Sequence, residues 1–176
     1  MRKIIVLSGG FDPVHVGHMR MFEDAKKYGA EVIVGVNSDA WLTRKKGAPF
    51  MNFDERSEIL RGVKYIDLVL SFNDDDNSAC NLIKKVQEIY KKEDVKIFFG
   101  NGGDRTNKTT PEIDYCNQEN VEMLWGVGGG KIQSSSELIA KSKTNKIWFL
   151  SFNKFFFQLI KLYNLSSLLD IVYIPV

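Results

Sequence analysis

Both histidines of this chain lie three residues apart, in the run Ser8-Gly9-Gly10-Phe11-Asp12-Pro13-Val14-His15-Val16-Gly17-His18. From Gly17 onward, His18, Met19, Met21, Phe22, Ala25 and Tyr28 recur at helical spacing, so the pair sits where a helix begins. A helix N-terminus presents unpaired N–H groups and the positive end of the macrodipole, which favours a phosphate. The chemistry this points to is anion handling. A cap or a satisfied surface group explains either histidine alone. Two of them with a glycine between, beside a Gly-Gly turn, are better explained as a site. Neutral imidazoles three apart could also share a metal ion, but no Cys, Asp or Glu lies nearby at ligand spacing.

Other segments carry charge or hydroxyls in suggestive order. Thr43-Arg44-Lys45-Lys46-Gly47 places three cations in a loop, which reads as a solvated basic turn or as a ligand contact. Asn52 with Glu55 three residues later signals a helix start. Arg56 and Arg61 project from that helix, where a surface ion pair would contribute only about tenths of a kcal/mol. Asp74-Asp75-Asp76-Asn77 reads as a solvated acidic turn capping a helix over 78–92. Gly100-Asn101-Gly102-Gly103-Asp104-Arg105 is a glycine-rich turn after a strand, and Arg105 with Lys108 could meet a phosphate through charge-assisted hydrogen bonds. Thr110-Pro111-Glu112 resembles an N-cap with proline in the first turn. Ser134, Ser135 and Ser136 precede Leu138 and Ile139 and form a second anion cradle at a helix start.

The elements that must position these groups alternate. Lys3-Ile4-Ile5-Val6-Leu7, Val32-Ile33-Val34-Gly35-Val36, Asp67 to Phe72, Val95 to Phe99 and Val121 to Val127 are short apolar runs of the kind that form buried parallel strands. Helical patterns separate them. The expected fold is α/β, a Rossmann-like doubly wound sheet of five parallel strands with right-handed crossovers and ligands at the carboxyl ends of its strands.

With His15-x-Gly17-His18 after a Gly-rich strand end, the chain resembles the nucleotidyltransferase superfamily that includes cytidylyltransferases, pantetheine-phosphate adenylyltransferase and ADP-heptose synthase. The resemblance covers about residues 3 to 140 and is nearest the ADP-heptose synthase and glycerol-3-phosphate cytidylyltransferase branch. It implies transfer of a nucleotidyl group from an NTP to a phosphorylated acceptor, with release of pyrophosphate. It also implies that His15, His18 and Lys46 are catalytic. Gly9, Gly10, Phe11, Gly17, Lys131, Ser134, Ser135 and Ser136 would hold the nucleotide, and Asp12, Asn37, Asp39, Arg56, Gly103, Asp104 and Arg105 the substrate. Mg²⁺ would accompany the NTP, with Asp12 as its protein contact. The favoured pair is ATP with a sugar 1-phosphate, over CTP with glycerol phosphate or another alcohol phosphate; a non-catalytic nucleotide-binding module is the other alternative. The chain departs from the commoner cytidylyltransferase form, with Gly129 where an arginine is usual and Gln133 where an isoleucine is usual. Lys131 is the residue that could supply the missing charge.

The 176 residues read as a domain over 1–141 and a hydrophobic extension over 142–176. A net charge of +2 with dispersed basic residues does not specify nucleic acid, and none is expected as partner. A homodimer is expected. Cys80 and Cys116 make a poor disulfide framework and the chain opens without a signal-peptide pattern, so a reducing cytoplasm is expected. The aromatic-rich extension carries Trp148, Phe149, Phe152, Phe155, Phe156 and Phe157, while Ser151, Lys154, Gln158 and Lys161 form a narrow polar stripe. Its lysines interrupt the apolar run before the roughly 18 residues of a membrane span. Docking on the chain's own domain or a partner subunit, a peripheral membrane-surface helix, and a strand-forming or poorly ordered extension are the readings of this segment. Asp170 to Ile174 could form a short terminal strand.

Overall fold

A computed structural model describes residues 1–103, 105, 106 and 110–144. Its elements run β1 (Arg2–Gly9), α1 (Val16–Lys27), β2 (Glu31–Val36), α2 (Asp39–Lys46), α3 (Phe53–Arg61), β3 (Leu68–Ser71), α4 (Cys80–Ile89), β4 (Val95–Gly102), α5 (Ile113–Gln118) and β5 (Glu122–Val127). The five strands form one parallel sheet in the order β3-β2-β1-β4-β5. That order reverses direction between β1 and β4, which makes the gap outside their carboxyl ends the natural ligand crevice.

The near-continuous apolar runs follow from burial on both faces. In β1, Ile5 and Leu7 join one core with Phe22 and Ala25 of α1 and Leu60 of α3. Ile4 and Val6 point the other way, into a second core with Leu82, Ile83 and Val86 of α4 and Cys116 of α5. Each such side chain removed from water contributes about 1.5–3 kcal/mol. The central strand is thereby clamped from both sides. Tyr90, just past α4, donates to Glu31 at the start of β2, and Lys26 pairs with Asp67 just before β3. Cys80 and Cys116 are both free thiols.

Three local readings of the sequence are corrected. The cations Arg44, Lys45 and Lys46 occupy the last turn of α2 instead of a loop. Ser38 caps that helix by accepting from the N–H of Trp41, and Asp39 favours its first turn. Asp74 is not a solvated turn residue: it is 2% exposed and accepts from Asn37 Nδ2, Ser38 N–H and Ser38 Oγ, so it is a buried hub between the end of β2 and α4. Thr110 does not cap α5, which follows Glu112 without a side-chain cap; the Thr110 hydroxyl instead donates to the carbonyl of Thr106.

The chain divides into two compact units, Met1–Ser135 and Ser136–Val176. Residues 135–144 are helical. The expected aromatic helix and terminal strand lie outside the described residues, as do Asp104 and Lys108. No helix among the described residues is long and apolar enough to cross a membrane.

Candidate active site

The β1–α1 loop is built by its own hydrogen bonds. His15 is the N-cap of α1, and its Nδ1 accepts from the N–H of Gly17 at 3.1 Å. His18, three residues on, returns the favour: its Nδ1 accepts from the N–H of His15 at 3.3 Å. A glutamine or glutamate normally closes such a capping box, and here an imidazole does. Because both Nδ1 atoms accept, both rings are held as the tautomer with the proton on Nε2. The rings stack at 3.7 Å between centroids, 18° apart. Phe11, with φ 50° and its ring in the core, meets His18 edge-on at 5.0 Å.

This arrangement revises the expectation of a bare helix N-terminus. The N–H of Gly17 is spent on His15, and those of His18 and Met19 reach the carbonyl of His15. These backbone N–H groups at the start of α1 are therefore already engaged within the loop. Gly17 gives the His15 ring room, since a Cβ on it would stand 3.0 Å from Cε1 of His15. The His18 imidazole is pushed down to about 3, chiefly by burial, with His15 and Lys46 adding to the effect. It stays neutral and remains a hydrogen-bond donor across the physiological range.

Cations gather on one side of this pair. Lys46 donates from Nζ to the carbonyl of Asp12 at 3.1 Å. Its ammonium is held below the usual lysine range by burial first; Asp12 opposes that shift and Arg56 adds to it. Lys45 lies 4.3 Å from the Trp41 ring centroid, and its pKa is lowered by burial and then by Arg105 and Lys46. Cations close enough for Arg105 and Lys46 to lower Lys45, and for Arg56 to lower Lys46, are a site that an anion would relieve.

The residues expected to hold substrate are largely committed to the protein itself. Arg56 is 0% exposed. Its Nη1 donates to the carbonyls of Gly10 at 2.7 Å and Asn37 at 2.9 Å, its Nε to the carbonyl of Met51 at 3.1 Å, and its Nη2 to Asp39 Oδ1 at 2.5 Å. It ties the ends of β1 and β2 to α3, and is neither a surface ion pair nor an open acceptor contact. Asp39 also accepts from the N–H of Phe53, and Asn37 donates to Asp74. Asp12 is fully buried and accepts from the N–H groups of Phe50 at 2.8 Å and Met51 at 2.7 Å. Both its oxygens are occupied in shaping the loop, so it does not fit a Mg²⁺ ligand. Among the described residues no cluster of three His, Cys, Asp or Glu could hold a metal ion.

Of the remaining nucleotide-binding candidates, Gly9 accepts from the N–H of Asn37 at its carbonyl. The loop after β5 crosses toward α1: the N–H of Gly128 donates to Asp24 at 2.9 Å, and Ile132 lies 3.7 Å from where a Cβ on Gly17 would stand. Lys131 Cβ is 3.9 Å from the corresponding point on Gly103, so it sits beside the loop that follows β4. Gly129 has φ 80°, left-handed backbone that suits glycine and strains arginine. The Ser135 hydroxyl donates to the carbonyl of Pro13 at 2.9 Å. Ser136 belongs to the second unit.

Two buried polar residues escaped the sequence reading. Asn101, near the end of β4, is 2% exposed, and neither its Nδ2 nor its Oδ1 has a hydrogen-bond partner. Glu112 is 3% exposed; its Oε1 accepts from the N–H of Ala79 at 2.7 Å while its Oε2 is unpartnered. An unmet buried polar group costs about 1–3 kcal/mol. The available signal was an asparagine in the strand-end run Ile97-Phe98-Phe99-Gly100-Asn101.

Comparison with known proteins adds to this geometry. The family model described as cytidylyltransferase-like matches residues 6–125. The chain is 30% identical over 151 residues to the bifunctional protein HldE of Geotalea uraniireducens, covering 83% of this chain and 28% of that one. It is 44% identical over 75 residues to the bifunctional protein HldE of Pseudomonas paraeruginosa, covering 42% and 16%. The chain thus spans less than a third of the length of these curated relatives. In fold it is similar to the lipopolysaccharide core biosynthesis protein from Thermoplasma volcanium, with a TM-score of 0.53 and 24% identity over 71% of this chain and 95% of that one.

Proposed function

The chain belongs to the cytidylyltransferase-like family and is a nucleotidyltransferase, and from that premise we propose that it transfers a nucleotidyl group from an NTP to a phosphorylated small acceptor. ATP is favoured over CTP, and a sugar 1-phosphate over glycerol phosphate or another alcohol phosphate. The observation that carries the reading is the pair of imidazoles locked with Nε2 protonated at the carboxyl end of β1, beside the partly buried Lys46.

An oxygen of the acceptor phosphate attacks the α-phosphorus in line. One O–P bond forms as the bond to the bridging oxygen breaks, and the electron pair leaves on pyrophosphate. Such chemistry needs positioning and charge stabilisation more than covalent help. His15 and His18 would donate from Nε2 to phosphate oxygens without a proton being gained or lost. Lys46, with Lys45 and Arg105 nearby, would neutralise the departing pyrophosphate, and Lys131 would supply the charge that glycine at 129 lacks. Mg²⁺ would enter with the NTP on its own phosphate oxygens, the usual habit of that ion. Arg56, Asp12 and Asp39 act as positioning residues.

Pyrophosphate release by the full chain tests this, with ATP and CTP offered against sugar 1-phosphates and polyol phosphates and with His18→Ala as control. Acceptor-dependent release that the variant lacks is the expected result. Gly129 favours one other reading, a binding module without turnover, for which nucleotide binding with no release across the panel would speak.

A further inference from the structure

We propose that Asn101 and Glu112 form a subsite that reads hydroxyl groups of the acceptor, an inference that rests on the transferase reading above. The strand pleat sets the direction of Asn101. A Cβ on Gly100 would meet Leu7, and one on Gly102 would meet Met21 of α1, whereas Phe99 belongs to the opposite core with Leu82, Ala79 and Cys116. Asn101 therefore faces α4 and α5. Glu112 directly precedes α5 and reaches the start of α4 through its bond to Ala79. Both residues thus lie on one layer at the carboxyl edge of β4, the strand that borders β1 at the reversal of strand order. The histidines occupy the β1 side of that same reversal.

Their chemistry specifies the ligand class. Together they leave one NH₂ group, one carbonyl oxygen and one carboxylate oxygen without partners inside the protein. A phosphate only accepts and would be repelled by Glu112. An alcohol both donates and accepts, so neighbouring hydroxyls of a sugar or polyol satisfy all three atoms. A site built to hydrogen-bond hydroxyls also discriminates strongly against a molecule lacking them, because its own groups would then be left unmet.

The test uses the full chain titrated calorimetrically with glucose 1-phosphate, mannose 1-phosphate, ribitol 5-phosphate and glycerol 3-phosphate, and separately with ATP and CTP. Asn101→Leu removes the orphaned amide with little change of volume, and Glu112→Gln keeps an oxygen for Ala79. At least one phosphorylated polyol should bind the wild type and bind each variant about tenfold or more weakly, with nucleotide affinity within about twofold. Asn101→Leu should melt no lower than the wild type, since it deletes unmet polar atoms. The proposal is overturned if no member of the panel binds the wild type, if the variants bind acceptor equally well, or if nucleotide affinity falls instead, which would make the pair a base-reading site. An acceptor that binds through Asn101 yet releases no pyrophosphate with either nucleotide would sink the transferase reading and leave the subsite standing.

Discussion

The backbone N–H of His15 donates to Nδ1 of His18 across 3.3 Å, so the residue that caps α1 also sets the tautomer of its neighbour. One hydrogen bond serves fold and chemistry together. His18→Ala removes both the donor and the closing half of the capping box. Turnover should fall by more than about tenfold through lost transition-state stabilisation, while the circular dichroism spectrum stays that of the folded chain. Unchanged turnover would remove His18 from the mechanism.

The protonation of His18 gives a stability signature. Its folded value of about 3 lies far below that of a free imidazole, near about 6.5. As pH falls, the unfolded chain takes the proton first, so the contribution of neutral His18 is whole above about pH 6.5 and is lost progressively between about 6.5 and 3. Urea unfolding across that window should show His18→Gln with a flatter pH dependence than the wild type. Parallel curves would count against a buried neutral ring.

Lys46 is tethered to the Asp12 carbonyl beside the histidines, ready to exchange that neutral partner for a charged one. Lys46→Ala should weaken NTP binding by roughly tenfold or more, the scale of a charge-assisted hydrogen bond. The fold should be little affected, because the lysine surrenders a single protein contact. Equal nucleotide affinity in the two proteins would contradict the assignment.

Arg56→Met tests the opposite kind of residue. The change leaves the carbonyls of Gly10, Asn37 and Met51 without their guanidinium donor and Asp39 without its ion-pair partner. Each buried carbonyl left without a donor costs about 1–3 kcal/mol, which should appear as a lower urea midpoint. A stable variant with only a raised acceptor KM would restore Arg56 to the substrate contacts.

What was legible in the sequence was whatever depends on near neighbours. The apolar runs declared buried parallel strands, and the turn chemistry of Asn52 with Glu55 appears in the structure as the predicted capping box. The histidine pair was visible because its spacing and its flanking glycines are local. Arg56 was not legible in the same way. Its partners are 46, 19 and 17 residues away, and no pattern in α3 announces that two strand-end carbonyls and a carboxylate converge on it. Asp74 was misread for the same reason, since Ser38 meets it from 36 residues away. For α2 the cue lies in Ser38 followed by Asp39, and the cations that resemble a loop instead sit in the helix's last turn, where the macrodipole favours them.

The carboxylates of Asp12 and Asp39 grip the amides of Phe50, Met51 and Phe53, and this bears on when the site comes into being. Phe50 is 62% exposed, in an irregular segment of the kind that usually exchanges its amide hydrogens within moments. Here those hydrogens should exchange only as fast as the β1–β2 core opens, giving a surface loop the protection pattern of an interior strand. The site walls would then form with the core during folding, ahead of any nucleotide.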